Sequence, residues 1–124
     1  HPLEWASYFE NHQIKIEYKF LNCDPSMGYD FEQVIFMFEN KNPVKIDIDW
    51  HIHLYYDDKC ATCDFTTEYA RTIRLVGNES VEGDCNRETI NELKLFSQFT
   101  DANYTKGAKL TGFQLASFIL TTLE

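Results

Sequence analysis

An antiparallel all-β sandwich is the fold class the sequence predicts, immunoglobulin-like or fibronectin-like, with about seven or eight strands. Three observations predict it. Val44 to Tyr56 alternates apolar and polar residues without a break. Aromatic residues make up 15% of the 124 residues, and large flat side chains suit a pleated surface. No segment sustains a helical period, and the connections are short. A closed barrel is the competing architecture.

Trp5 to Phe9 reads as a short edge strand. Ile14, Ile16, Tyr18 and Phe20 alternate with Lys15, Glu17 and Lys19, which is a half-buried strand. In Gln33 to Glu39, Val34, Phe36 and Phe38 fall on one parity and Ile35 and Met37 on the other, so both faces of that strand are expected to be covered. After the turn signal Asn42-Pro43, the residues Val44, Ile46, Ile48, Trp50, Ile52 and Leu54 share one side. Lys45, Asp47, Asp49, His51, His53 and Tyr55 share the other, a period of two that a helix would scatter around its circumference. Thr72 to Val76 and Ser80 to Asp84 read as short strands joined by a tight hairpin turn at Gly77-Asn78. Glu88 to Phe99 and Phe113 to Leu120 fit both periods, and their length and neighbours favour strands. A single helical turn around Arg87 to Asn91 stays open.

Residues 1–122 are expected to form one domain, since the length suits a single core and no repeat is present. Leu123-Glu124 matches a common cloning scar and is read as vector-derived, and any leader peptide preceding His1 is expected to have been removed. Acidic residues outnumber basic ones 20 to 11, a net charge of −9. Phosphate backbones and anionic lipid surfaces need a basic footprint, so nucleic acid is not an expected partner. No apolar run reaches the roughly 18 residues of a membrane span.

Cys23, Cys60, Cys63 and Cys85 all follow strand ends that a regular up-and-down meander brings to one pole. Two disulfides fit an even count in a small domain, Cys60 with Cys63 and Cys23 with Cys85 being the preferred pairing of the three allowed. A four-thiolate zinc site and a redox Cys-x-x-Cys are the competing chemistries, but a second knuckle and a following helix are both missing from the pattern. His51 and His53 project from the same side of a strand with Asp49 beside them, a geometry metal sites use, although spacing fixes no third ligand. His1, through its amine and imidazole, is a weak copper-binding candidate. No cofactor is expected.

Hydrolase, metalloprotease and phosphate-loop signatures are absent, and the carboxylates are scattered, so no catalytic residue is assigned. The acidic segment Cys23 to Asp30 lacks the ordered spacing of a calcium loop. Asn78-Glu79-Ser80 and Asn103-Tyr104-Thr105 are glycosylation sequons. A candidate recognition face follows from parity. With Trp50, Ile52 and Leu54 turned inward, His51, His53 and Tyr55 face outward. An immunoglobulin-like order would set Phe96 and Phe118, from the strands around Leu93 and Phe113, on the same surface. Aromatic residues are enriched at such surfaces.

Trp5, then "IKIEYK" from Ile14, Cys23 and "FMFEN" from Phe36 are followed by "LYYDDKC..C" from Leu54. After them come "TIRL" from Thr72, "ESVEGDC" from Glu79, "LKLF..F" from Leu93 and "LTGFQL" from Leu110. Over Trp5 to Leu120 this string resembles small exported cysteine-containing β-sandwich proteins of unknown function from Bacteroidetes-type bacteria. The resemblance implies a secreted or periplasmic sandwich and carries no activity. The expected role is a non-enzymatic module that binds a protein or a surface glycan. The alternative is an exported copper or zinc binder using His1 or the His51 and His53 pair.

Overall fold

The computed structural model describes residues 2–23, 31–63, 70–84, 91–99 and 110–123. They form two antiparallel sheets packed face to face. The strands are β1 (Ala6–Glu10), β2 (Ile14–Cys23), β3 (Phe31–Asn40), β4 (Lys45–Tyr56), β5 (Lys59–Cys60), β6 (Ala70–Leu75), β7 (Ser80–Glu82), β8 (Lys94–Phe99) and β9 (Leu110–Leu123), with a 3-10 turn at Asn91–Leu93 before β8. The first sheet runs β1-β2-β3, and both β7 and β8 pair with the far edge of β3. In the second sheet β4 is central, with β9 along one edge and β6 and β5 in succession along the other. No helix among the described residues is long and apolar enough to cross a membrane.

The alternations in the sequence become the two inner faces. Ile46, Ile48, Trp50, Ile52 and Leu54 of β4 are all buried, and they meet Ile14, Ile16, Phe20, Val34, Phe36 and Phe38 from β2 and β3. Each large side chain so buried contributes roughly 1.5–3 kcal/mol over leaving it in water. On β3 the opposite parity is covered at Ile35, only 2% exposed, while Met37 on the same side is half-buried.

Two connections depart from the sequence reading. Gly77-Asn78 does form a tight turn, with Asn78 at φ 61°. It is not a hairpin, because β6 pairs with β4 and β7 with β3, so the turn carries the chain from one sheet to the other. The physical reason lies in the neighbouring crossover between β3 and β4. Asn40, fully buried, donates from Nδ2 to the carbonyls of Val44 and Val76 at 2.8 and 3.0 Å and also reaches that of Leu75. Its own Oδ1 accepts from the Asn42 amide at 2.9 Å, and the Asn78 amide donates to the Asn42 carbonyl. The two crossovers are thus one hydrogen-bonded unit, and a Cβ on Gly77 would lie 2.2 Å from the Pro43 carbonyl oxygen.

The second departure concerns β8. The strand after Leu93 does not lie beside β4; Lys94–Phe99 pairs with Phe31–Ile35 of β3, in the other sheet. β7 and β8 divide one edge of β3 between them, with Gly83 donating to the Phe36 carbonyl where β7 leaves. Gly83 is required there, since a Cβ would come within 2.6 Å of the Leu93 carbonyl oxygen. Arg71, on the inward side of β6, donates to the carbonyls of Glu92 and Lys94 and so ties the start of β8 to the opposite sheet. Burial lowers the pKa of its guanidinium, against the opposing effect of Glu92. With β1, β2 and β3 hydrogen-bonded in chain order, the first sheet is a meander, whereas an immunoglobulin order passes the third strand to the opposite sheet.

Candidate functional site

The cysteine chemistry is fixed at the end of β4. Cys60 and Cys63 are joined by a disulfide with a Cα–Cα separation of 5.7 Å. The residue between them that matters is Thr62. Its Oγ1 accepts from the Leu54 amide and donates to the Ile52 carbonyl, both at 2.9 Å, standing in for a strand neighbour where β6 no longer reaches. Cys23 is buried at the same end of the sandwich and is also disulfide-bonded. Cys85 lies outside the described residues, as do His1, the acidic segment after Cys23 and the second sequon.

The predicted recognition face is assembled only in part. His51, His53 and Tyr55 do share the outer face of β4, opposite Ala116, Gln114 and Gly112 of β9. Phe96 sits opposite Gln33 in the other sheet, and its side chain is outside what is described. Phe118 is turned inward: it packs against the core and stacks on Trp50 at 6.3 Å between ring centroids. The cause is a bulge in β9, where the register shifts between the pairs Asp49–Ile119 and His51–Ala116 and Ser117 takes φ 58°. One extra residue reverses the parity of everything after it.

Along the same outer face, the guanidinium of Arg74 donates to both carboxylate oxygens of Asp47, at 2.7 and 3.0 Å. That hydrogen bond is the main reason the Asp47 carboxyl lies below the usual carboxylate range. Asp49 accepts from the Thr72 hydroxyl. Among the described residues no group of three or more His, Cys, Asp or Glu side chains is gathered to hold a metal, so Asp49, His51 and His53 share a face without forming a ligand set.

A concave feature lies elsewhere, between the open edges of the two sheets. A cleft of about 360 Å³ is lined by Tyr8 of β1, Tyr18 and Phe20 of β2, and Leu110 to Phe113 of β9, with Pro2 at its rim. Small-ligand sites begin at about 300 Å³. Its rings hold one another: Phe113 stacks on Tyr8 at 5.9 Å and meets Tyr18 and Phe36 edge-on at 5.6 and 5.5 Å. The Tyr8 hydroxyl accepts from the Leu115 amide across the gap between the sheets, at 2.9 Å, and keeps its own proton to donate. Thr111 is committed locally, accepting from the Asp58 amide and donating to the Tyr55 carbonyl. The Pro2 carbonyl accepts from the Phe20 amide at 2.7 Å, which anchors the rim. Among the described residues, every one that lines it is uncharged, on a chain of net charge −9.

The sequence reading missed this cleft. Alternation placed Tyr18 and Phe20 correctly on the inward side of β2, but an inward aromatic at a sandwich end reads the same whether the end is filled or open. The clustering of Tyr8, Tyr18 and Phe113 depends on which sheet edges face each other, and strand pairing decides that. The chain matches no known protein-family model, no curated protein and no solved structure.

Proposed function

We propose that the chain is a non-enzymatic, protein-binding module of an oxidising, exported compartment, and that its cleft receives an uncharged apolar side chain of the partner. The observation that carries this reading is the uncharged aromatic lining from Tyr8, Tyr18, Phe20 and Phe113, held rigid by ring-to-ring packing before any ligand arrives. A preformed concave site loses little conformational entropy on binding. A glycan is the weaker reading. Sugars need several directional hydrogen bonds, and the Thr111 hydroxyl already serves Asp58 and Tyr55. The Cys60–Cys63 disulfide supports the compartment, since such bonds persist where thiols are oxidised.

The test is a nuclear magnetic resonance titration of isotope-labelled protein with the blocked tripeptide acetyl-Gly-Phe-Gly-amide, and separately with cellotriose. Saturable amide shifts confined to Tyr8, Tyr18 and Thr111 to Phe113 with the peptide, and none with the sugar, support the reading. Shifts with the sugar alone, or no localised shifts with either, overturn it.

A further inference from the structure

A different part of the same open side carries an independent inference. Among the described residues, β9 is an edge strand that pairs only with β4. From Leu110 to Thr122 it contains no charged residue, in a chain where 25% of residues are charged. Edge strands are ordinarily protected by charged side chains, proline or bulges. Other edge strands carry charged side chains, Arg71 and Arg74 on β6, Glu82 on β7, Lys94 on β8 and Glu10 on β1, whereas the guard on β9 is a bulge. In β9 the Ser117 bulge divides the edge in two. The first half is capped where the Tyr8 hydroxyl takes the Leu115 amide. Over Phe118 to Thr122, among the described residues, no hydrogen bond reaches the side turned away from β4. Ile119 there is 61% exposed, and beside it Phe9, 41% exposed, stacks on Phe118.

We infer that the Phe118 to Thr122 edge of β9 pairs antiparallel with the same edge of a second copy, joining two of the β4-centred sheets across a twofold axis. The occupant follows from charge and from shape. Two chains of net charge −9 repel at most approaches. An uncharged strand paired with itself sets no like charges opposite each other in any register. A second copy also brings a preformed free edge, so neither partner loses the entropy of ordering a loose segment. Antiparallel pairing about a twofold is self-complementary, as a closed dimer requires.

Sedimentation velocity of the whole chain over a range of concentration and salt tests the inference. The expected result is a monomer–dimer equilibrium that shifts toward dimer as salt screens the like charges. Ile119→Lys and, as a second variant on the same outer face, Thr121→Lys should each be monomeric with an unchanged circular dichroism spectrum. A wild type that stays monomeric throughout overturns the inference. So does a dimer that survives in a folded Lys variant. Neither outcome bears on the cleft, whose lining residues are untouched.

Discussion

Phe118 stacks on Trp50 with ring centroids 6.3 Å apart, because the preceding Ser117 adopts a left-handed backbone that no alternating strand contains. Trp50 is 1% exposed and also meets the ring of Phe38, at 4.9 Å. The bulge therefore completes the core around the largest side chain on β4, and takes Phe118 away from the histidine face.

A serine at φ 58° carries strain that glycine does not. Ser117→Gly should leave stability unchanged or raise it by up to about 1 kcal/mol, while Ser117→Val should lower it by about 1–2 kcal/mol. Urea denaturation of the two variants checks both. Deleting Ser117 should do far more damage, because it turns Phe118 and Leu120 outward.

Asn40→Leu removes the donor that serves the carbonyls of Val44 and Val76 at the joined crossovers. Those partly buried acceptors lose their donor, and so does the buried Leu75 carbonyl, so the expected cost is about 2–4 kcal/mol by urea denaturation, well beyond that of a surface asparagine.

The Cys60–Cys63 ring closes only a short loop. Chain entropy gives about 2 kcal/mol for it at most. The double variant Cys60→Ser with Cys63→Ser should stay folded with a loss of that size or smaller, and should show one disulfide fewer by intact mass after alkylation.

Two exposed carboxylates fix the sign of the acid response. Glu10 lies below its ordinary value of 4.5, chiefly through its hydrogen bond from Lys41, and Asp47 below 3.8, chiefly through that from Arg74. A depressed folded pKa stabilises the fold above the unfolded value and ceases to do so as pH falls through the folded one. Their small contribution should be complete at neutral pH and fade below about pH 4.5. In Asp47→Asn with Glu10→Gln, the stability profile should be flatter over that range, as measured by thermal melts from pH 7 down to about 3.

The legible part of this molecule is its period-two sequence. Val44 to Tyr56 and Ile14 to Phe20 show which side chains face inward; β4 follows that pattern from Ile46 to Leu54 and β2 from Ile14 to Phe20, with Tyr18 half-buried, whereas Val44 precedes β4 and is 40% exposed. Sheet membership left no such mark. Gly77-Asn78 reads as a hairpin because its flanking strands are adjacent in sequence, yet the buried amide of Asn40 makes it a crossover. β8 looked like a neighbour of β4 through its immunoglobulin-like order, and pairs instead with the edge that β7 vacates. For the candidate site the same limit applied. Tyr8, Tyr18 and Phe113 were each readable as strand aromatics, but the cleft exists only because the β1 and β9 edges face each other.

Isothermal titration calorimetry with acetyl-Gly-Phe-Gly-amide, on the wild type and on Tyr18→Ser, tests the binding role of the cleft most directly. The account predicts saturable binding with a negative heat-capacity change, as expected when apolar surface is buried. It further predicts a loss of about tenfold or more in Tyr18→Ser, which removes a ring from the lining, and no change in His53→Ser on the outer face of β4. Equal binding by wild type and a folded Tyr18→Ser, or loss of binding in His53→Ser alone, would contradict it.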